Sequence, residues 1–378
     1  MFFRFVLRNT LRHRLRTALT ALGIFVAILA FGLLSTVIDA WYSGANTASS
    51  SRLVTRSAVS LVFPLPTTYR EKLRQVDGVT GVAGANWFGG VYVSPKNFFP
   101  QFAVDPEPYF ALYPEYVMPE QQFHDFVLDR KGAIVGRKLA DTYGWKVGDV
   151  VPLRGTIYPG TWEFVVRAIY DGRDSKVDTS QFFFHWDYLN ERVRKLMPRR
   201  SETVGVYVLG IADPDRAAEV SQLIDAQFRN SLAETLTETE KAFQLGFVSM
   251  VETLVVAIRV VSYLVIFIIM AVMANTMAMS ARERLSEYAT LKALGFKPWS
   301  VGGLIVGESL AIALVGGALG VAAKFSQSVG SLFPVFEVSQ TTVVLQFACA
   351  AVVGLVAAVI PSVRAARVQI ASGLRAVA

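Results

Sequence analysis

The chain has 378 residues, of which 53% are hydrophobic and only 18% are charged. Soluble domains carry about 25% charged residues, so this composition excludes a disordered tail protein and argues against an ordinary cytosolic enzyme. The single cysteine, Cys349, excludes an intramolecular disulfide and a cysteine-built zinc site. The net charge of +7 suits a nucleic acid or a membrane surface, and the positions of the charges decide between the two.

Four apolar segments are each long enough to cross a bilayer, which takes about 20 residues in a helix. Their apolar runs are nearly free of charge, and Glu308 is the one charge in the third segment. The first is interpreted as an uncleaved anchor, because its apolar run is longer than the roughly 7–15 residues of a signal-peptide core. The predicted spans are residues 17–39, 256–281, 298–323 and 341–362.

Basic residues in the short flanks concentrate on one side of these spans, and Lys324 is the one in the short loop on the other side. Five arginines precede the first span, four basic residues lie in 282–297, and Arg364, Arg367 and Arg375 follow the fourth. Short loops rich in Lys and Arg stay in the cytoplasm. We therefore expect both termini to be cytoplasmic, with 1–16 an amphipathic Arg-rich helix and 363–378 a tail. The basic charge then reflects membrane topology, and no nucleic-acid partner is expected.

The long segment between the first two spans is predicted to be a folded α+β domain outside the cytoplasm, over residues 40–230. It is large enough to bury a core without disulfides, and its turn signals separate short apolar runs. We expect a stalk helix over 231–255 and a short outer loop over 324–340. The expected strands are 58–63, 150–153, 161–169 and 204–211, and the expected helices are 67–76 and about 214–230.

Among the polar residues within or beside the spans, Arg259, Asn275 and Glu308 are candidate functional residues. A charged side chain at this depth costs about 2.5 kcal/mol or more. Glu308 should therefore face protein or water, either in a structural hydrogen bond or in contact with a substrate or proton. Arg259 can snorkel to the outer interface or pair with Glu252, seven residues earlier. The role of Asn275 stays open.

No sequence pattern for catalysis or nucleotide binding is present in the chain. It contains no G-x-x-x-x-G-K-[ST] phosphate loop, no G-x-S-x-G elbow and no zincin-like His/Glu pair. The three histidines are scattered. A membrane-anchored enzyme is therefore disfavoured, and we assign no catalytic residue, no metal ligand and no cofactor to this chain.

The segment after the second span, 282–297, combines charges of both signs with aligned leucines. Leu285, Leu291 and Leu294 can be buried, and Gly295 can end a helix in the left-handed conformation. This pattern suits a short helix that docks a partner protein. A loop lying on lipid headgroups is the alternative. The charged candidates for pairing across an interface are Arg282, Glu283, Glu287 and Lys292.

The same segment resembles the cytoplasmic segment of FtsX/MacB-type permeases of ABC transporters. That family carries an E-R-x-x-E-x-x-x-L-K-A-L-G stretch after its second span. The matching residues here are Glu283, Arg284, Glu287, Leu291, Lys292, Ala293, Leu294 and Gly295. Pro361–Arg367 is similar to the family's P-x-x-R-A-A-R ending, which includes Arg364 and Arg367, although the continuation at Ile370 and Gly373 departs from it.

The resemblance implies a permease subunit with four transmembrane helices and an outer domain inserted between helices 1 and 2. ATP and Mg²⁺ would bind a separate cytoplasmic ABC ATPase, and 282–297 would be the coupling helix. Four spans make half a permease, so a second copy, identical or paralogous, is expected in the bacterial inner membrane. A periplasmic adaptor (membrane fusion protein), an outer-membrane channel and membrane lipid are further candidate partners.

Two functions follow from this resemblance. The first is mechanotransmission that drives export or extraction of a hydrophobic molecule, a lipid or a lipoprotein. The alternative is an FtsX-like regulator that passes the state of the ATPase to a periplasmic cell-wall hydrolase. The length of the outer segment favours the first, because the regulators' outer domain is typically smaller.

Overall fold

A computed structural model describes residues 14–323, 336 and 338–368. The chain forms two compact units, the first from Met1–Trp41 and Val251–Ala378 and the second from Tyr42–Met250. Residues 1–13, nearly all of the predicted outer loop 324–340 and the tail beyond 368 lie outside the described residues. Predictions for Arg375, Ile370 and Gly373 fall there too.

The helices and strands are numbered in chain order. The helices are α1 (Arg14–Thr47), α2 (Tyr69–Arg74), α3 (Pro106–Leu112), α4 (Glu120–Leu128), α5 (Arg137–Tyr143), α6 (Trp186–Leu196), α7 (Ala217–Gln227), α8 (Glu240–Met250), α9 (Glu252–Glu283), α10 (Leu285–Ala293), α11 (Pro298–Ala322) and α12 (Gln340–Arg367). The strands are β1 (Arg52–Ser57), β2 (Leu65–Pro66), β3 (Val79–Trp87), β4 (Gly90–Val91), β5 (Gln101–Val104), β6 (Tyr116–Val117), β7 (Gly132–Gly136), β8 (Val150–Gly155), β9 (Gly160–Gly172), β10 (Phe182–His185), β11 (Thr203–Val204), β12 (Val206–Ile211) and β13 (Thr235–Thr239).

The first unit contains the four long apolar helices α1, α9, α11 and α12, each long and apolar enough to cross a membrane. Small residues let α11 approach its neighbours closely. A Cβ on Gly354 of α12 would lie 2.8 Å from the Cβ of Ala313, and one on Gly316 would lie 2.7 Å from the Ala21 carbonyl oxygen of α1. Buried hydrogen bonds add to this packing, such as Ser309 Oγ to the Gly354 carbonyl at 2.6 Å.

The second unit is built on an 11-stranded sheet. Its order is β13-β1-β12-β3-β5-β10-β7-β9-β8-β4, with β6 paired to β9, and β2 pairs separately with β11. β5 runs parallel to β10 and β7 runs parallel to β9, whereas the other pairs are antiparallel. Aromatic side chains fill its interior, including Phe182, Phe183 and Phe184 on consecutive positions of β10.

Several predicted elements of the second unit are confirmed with shifted ends. The strands expected at 150–153 and 161–169 are β8 and β9, and that at 204–211 begins as β11 and continues as β12. Asp213 caps the helix that follows, accepting the Asp215 backbone N–H at 3.0 Å, but the first turn is a 3-10 turn before α7 begins.

Two predictions for this unit are wrong. The strand expected at 58–63 is a loop, because β1 ends at Ser57, where its partner β13 begins, and Val59 and Val62 are 77% and 81% exposed. The stalk helix expected over 231–255 begins only at Glu240 and breaks at Val251. Residues 235–239 form β13 and pair with β1 instead, and the side chains of Thr235 and Thr237 in this strand are buried.

The helices also extend beyond the predicted spans. α1 continues to Thr47, well past the span predicted to end at 39, and α12 continues through Pro361 to Arg367. Arg282 and Glu283 belong to the end of α9 and not to the short helix predicted from 282. The break falls at Arg284, whose backbone (φ −109°, ψ 16°) is not helical.

Candidate functional site

The short helix α10 is held in the first unit by its own buried face. Tyr288 and Ala289 are 3% and 0% exposed, and Leu291 packs against the same core. Gly295 ends the helix with a φ of +91°. Its N–H bonds the Lys292 carbonyl and the N–H of Phe296 bonds the Leu291 carbonyl, which is the Schellman pattern. The predicted left-handed helix end at Gly295 is confirmed.

Arg284 ties the start of α10 to α11. Its Nη1 donates to Glu308 Oε2 at 2.9 Å and its Nε donates to Glu287 Oε2 at 3.1 Å, while its guanidinium lies 5.6 Å from the Tyr288 ring centroid. The side chains of Arg284 and Glu308 are only 8% and 11% exposed. Burial lowers the pKa of Arg284, but Tyr288, Glu308 and Glu287 raise it by more, so the guanidinium stays charged. Of the two roles considered for Glu308, this geometry shows a structural hydrogen bond, here with Arg284.

Two further charged candidates, Lys292 and Glu283, also form hydrogen bonds within the first unit. Lys292 Nζ donates to the Ala366 and Val368 carbonyls at 2.5 and 2.9 Å, and so caps the end of α12. Glu283 accepts both Nη groups of Arg16 at 2.7 and 2.8 Å, which joins the end of α9 to the start of α1. Glu283, Glu287 and Lys292 therefore each bind a group of the first unit, and their contact with a partner stays a prediction.

The end of α10, the turn after it and the start of α11 expose three large apolar side chains, together with the polar Thr290 and Lys297. Leu294, Phe296 and Trp299 are 73%, 49% and 88% exposed, and we refer to these three residues as the inner apolar surface. Arg282 is exposed near the same end of α9. The sequence pattern identified Leu294 but missed Phe296 and Trp299, although a Trp directly after the helix-starting Pro298 is a signal that was available.

The remaining sequence candidates are not brought together. Asn275 and Arg259 are exposed on α9, and among the described residues Arg259 forms no ion pair with Glu252. Arg364 and Arg367 are exposed at the end of α12. Within the described part of the chain, no group of three or more His, Cys, Asp or Glu side chains is arranged to hold a metal ion.

A second charged cluster, which sequence reasoning missed, lies in the second unit. Arg52, only 6% exposed, donates from Nε to Glu240 Oε2 at 2.8 Å and from Nη2 to Glu115 Oε1 at 2.6 Å. Arg52 follows α1 by a few residues, and Glu240 starts the helix that leads toward α9. Glu240 also accepts the Ser49 N–H at 3.0 Å and the Tyr113 hydroxyl at 3.0 Å. We call Arg52, Glu115 and Glu240 the Arg52 junction.

The Arg52 junction joins both ends of the second unit. The segment that enters from α1 and the helix that leaves toward α9 share one buried ion pair, and Glu115 connects them to the loop between α3 and β6. The Arg52 guanidinium also lies 4.2 Å from the Tyr113 ring centroid. Burial lowers the pKa of Arg52, but Glu240, Glu115 and Tyr113 raise it by more, so the guanidinium stays charged.

Comparison with known protein families gives two matches that together cover most of the chain. Residues 17–227 match the MacB-like periplasmic core domain, which is more than half of the chain, and residues 259–370 match the FtsX-like permease C-terminal domain. The second match includes α10, the Arg284–Glu308 pair and the inner apolar surface. The resemblance inferred from the segment after the second span is thus confirmed.

A curated relative supports the same assignment. The macrolide export ATP-binding/permease protein MacB of Marinobacter nauticus (strain ATCC 700491 / DSM 11845 / VT8) is 27% identical over 178 residues, which cover 43% of this chain. The alignment spans only 26% of that relative, about a quarter of its length.

Two of the solved structures similar to this chain are an extracellular domain and a periplasmic region. The extracellular domain of the transporter YknZ from Gram-positive bacteria matches with a TM-score of 0.36 and 10% identity, covering 50% of this chain and 100% of that one. The periplasmic region of MacB from Actinobacillus actinomycetemcomitans matches with 0.38 and 8%, covering 53% and 94%. From the family matches, the chain belongs to the FtsX/MacB-type permeases of ABC transporters.

Proposed function

We propose that this chain couples ATP hydrolysis on a separate ABC ATPase to movement of its second unit, which we place outside the cytoplasm and call the outer unit. The observation that carries the proposal is the inner apolar surface, three exposed side chains between the end of α10 and the first turn of α11, where the buried Arg284–Glu308 ion pair fixes the start of α10 to α11. A rigid helix with an exposed apolar end suits docking, because interface hot spots are apolar or aromatic and surrounded by fixed neighbours. The chain alone is then not catalytic.

The proposed orientation places α10 and both termini in the cytoplasm of a bacterium, with the four long helices in its inner membrane. Support comes from the basic residues beside the inner ends of α1, α9 and α12. Trp299 would then lie at the inner face, where it can contact either the ATPase or lipid headgroups. The experiment below separates these two contacts.

Motion would pass from α10 to the outer unit through α1 and α9. The Arg52 junction supports this route, because it joins the chain segments that continue both helices. The cargo proposed is a hydrophobic molecule, a lipid or a lipoprotein. A second permease copy, identical or paralogous, would complete the working unit.

The test compares Leu294→Asp and Trp299→Asp with wild type after co-expression with the cognate ATPase. Each variant removes an apolar contact and should weaken ATPase association by about 30-fold or more, the size expected for a hot spot of about 2 kcal/mol. Association is measured by co-purification at graded ATPase concentrations, together with ATP hydrolysis in reconstituted vesicles. The purified chain without ATPase should hydrolyse no ATP.

Leu232→Asp is the matched control, because Leu232 is 97% exposed in the second unit. This variant should bind the ATPase as wild type does. If the Leu294 and Trp299 variants retain full ATPase association and coupled hydrolysis, the inner apolar surface contacts lipid and the coupling proposal fails.

A further inference from the structure

A groove of about 490 Å³ lies in the second unit between α3, β6 and α4. Its size falls within the roughly 300–1,000 Å³ of small-molecule sites. Phe110, Tyr116, Met118 and Phe123 line it, with ring centroids of Phe110 and Phe123 5.6 Å apart. The lining is therefore aromatic and apolar, as expected for a site that receives an apolar ligand.

The charges of the groove are all of one sign. Of the described residues that line it, Glu107 and Glu120 are the only charged ones, and both are exposed. Each lies in the first turn of its helix, α3 or α4. Neither forms an ion pair with a basic side chain among the described residues. Arg173, which donates its backbone N–H to the Glu115 carbonyl, does not line the groove.

We propose that this groove binds organic cations that have an apolar, aromatic body. The aromatic rings would cover the apolar body and attract its positive charge through their faces. Glu107 and Glu120 would add Coulomb attraction at the opening, whereas an anion of the same shape would be repelled by both carboxylates. The combination therefore selects ligands by charge as well as by size.

The wall of the groove adjoins the Arg52 junction. Glu115 lies between Pro114 and Tyr116, which both line the groove, and it accepts Arg52 Nη2 at 2.6 Å. Arg52 also donates to the Leu112 carbonyl at 3.0 Å, at the end of α3. A ligand that shifts this wall would thus act on the residue that holds Glu240. That the ligand is cargo rests on the proposed transport function; that it binds does not.

The test uses two probes of nearly equal shape and opposite charge, tetraphenylphosphonium and tetraphenylborate. The full chain is placed in phosphatidylcholine nanodiscs, and binding is measured by equilibrium dialysis, with empty nanodiscs subtracted. We expect saturable binding of the cation at one site per chain and none of the anion. Neither ATP nor ATPase is present, so failure of the coupling proposal leaves this result unaffected.

Variants locate the binding. Glu107→Gln and Glu120→Gln should each weaken cation binding by about two- to fivefold, and Phe123→Leu should weaken it by a similar factor through loss of an aromatic face. Glu163→Gln, an exposed carboxylate on β9 outside the groove, should bind as wild type does. Thermal unfolding verifies that each variant is folded.

Three results would each overturn the proposal. The first is equal binding of both probes, the second is cation binding no greater than that of empty nanodiscs, and the third is unchanged cation affinity in folded Glu107, Glu120 and Phe123 variants. Loss of binding in the Glu163 variant would also contradict it, because a general effect of surface charge would then explain the cation preference.

Discussion

At the scale of single residues, Arg284 decides where α10 begins. Its guanidinium contacts Glu308, Glu287 and the Tyr288 ring, which come from α11 and from α10 itself. A buried ion pair adds little net stability when both partners are compared with apolar residues, but removal of one partner leaves an uncompensated charge. The pair therefore fixes geometry more than it contributes stability.

Replacement of one partner should thus be worse than replacement of both. Arg284→Met should lower the free energy of unfolding by about 3–5 kcal/mol, because the buried Glu308 carboxylate loses its ion pair with the Arg284 guanidinium. The double variant Arg284→Met/Glu308→Leu should recover part of this loss. Thermal unfolding of the purified chain measures both, and a fully additive loss in the double variant would contradict the buried-pair interpretation.

His185 gives the outer unit a pH dependence. It is 4% exposed, and its Nε2 lies 2.7 Å from the Phe126 carbonyl, so the neutral ring donates Nε2–H there. Burial lowers the pKa of His185 below its usual 6.5, although the hydrogen bond to Phe126 opposes this. A lowered pKa means that the unfolded chain binds the proton more tightly than the folded chain does.

The stability of the outer unit should therefore fall as the pH drops below about 6.5 and toward the lower pKa of the folded state. His185→Gln removes the titrating group, so its unfolding temperature should decline less between pH 7.5 and pH 5 than that of wild type. Differential scanning calorimetry at several pH values measures the difference. An identical pH dependence in both proteins would assign the effect to other groups.

At the scale of elements, the Arg52 junction fastens the two segments through which the second unit connects to the rest of the chain. β1 starts at Arg52 and α8 starts at Glu240, and β13, directly before α8, pairs with β1. Both connections therefore converge on one edge of the sheet. The β1–β13 pairing and the Arg52–Glu240 ion pair together hold the two connections to each other at this edge.

Arg52→Met should loosen this edge and leave the rest of the unit intact. Glu240 and Glu115 would lose their partner, so amide hydrogen exchange at 49–55 and 240–244 should become about 100-fold faster, given a local loss near 3 kcal/mol. Exchange within α6, which does not pack on β13 or β1, should not change. Arg52→Lys keeps the positive charge but lacks the planar guanidinium that donates to both carboxylates. Its exchange rates should therefore lie between those of wild type and Arg52→Met.

Hydrogen exchange followed by mass spectrometry resolves these peptides. Equal acceleration in α6 would show that the variant destabilises the whole unit, in which case the Arg52 junction has no separate role at this edge.

At the scale of the whole molecule, the proposed topology places the two ends of α9 on opposite sides of the membrane. In a Cys349→Ser background, single cysteines at the exposed positions Asp141 and Thr290 report the two sides. A membrane-impermeant maleimide added outside intact spheroplasts should label 141, and it should label 290 only after lysis. Labelling at 290 before lysis would invert the orientation and remove the ATPase-facing role of α10.

The amino-acid sequence by itself determined the features that depend on contiguous residues. Length and the absence of charge located the four long helices, because hydrophobic length is a local property. Gly295 marked a helix end, since only glycine readily adopts that φ. The segment Glu283–Gly295 was sufficient for the family, and the family matches agree.

Tertiary structure alone decided which charges meet. Arg284 and Glu308 are 24 residues apart and Arg52 and Glu240 are 188 apart, so no local pattern relates them. Strand formation needs a neighbouring strand to pair with. Tertiary contacts therefore also decided that 58–63 is a loop and that 235–239 is a strand. Side-chain pairing and strand pairing are long-range contacts, and they assign to each candidate residue its place in the fold.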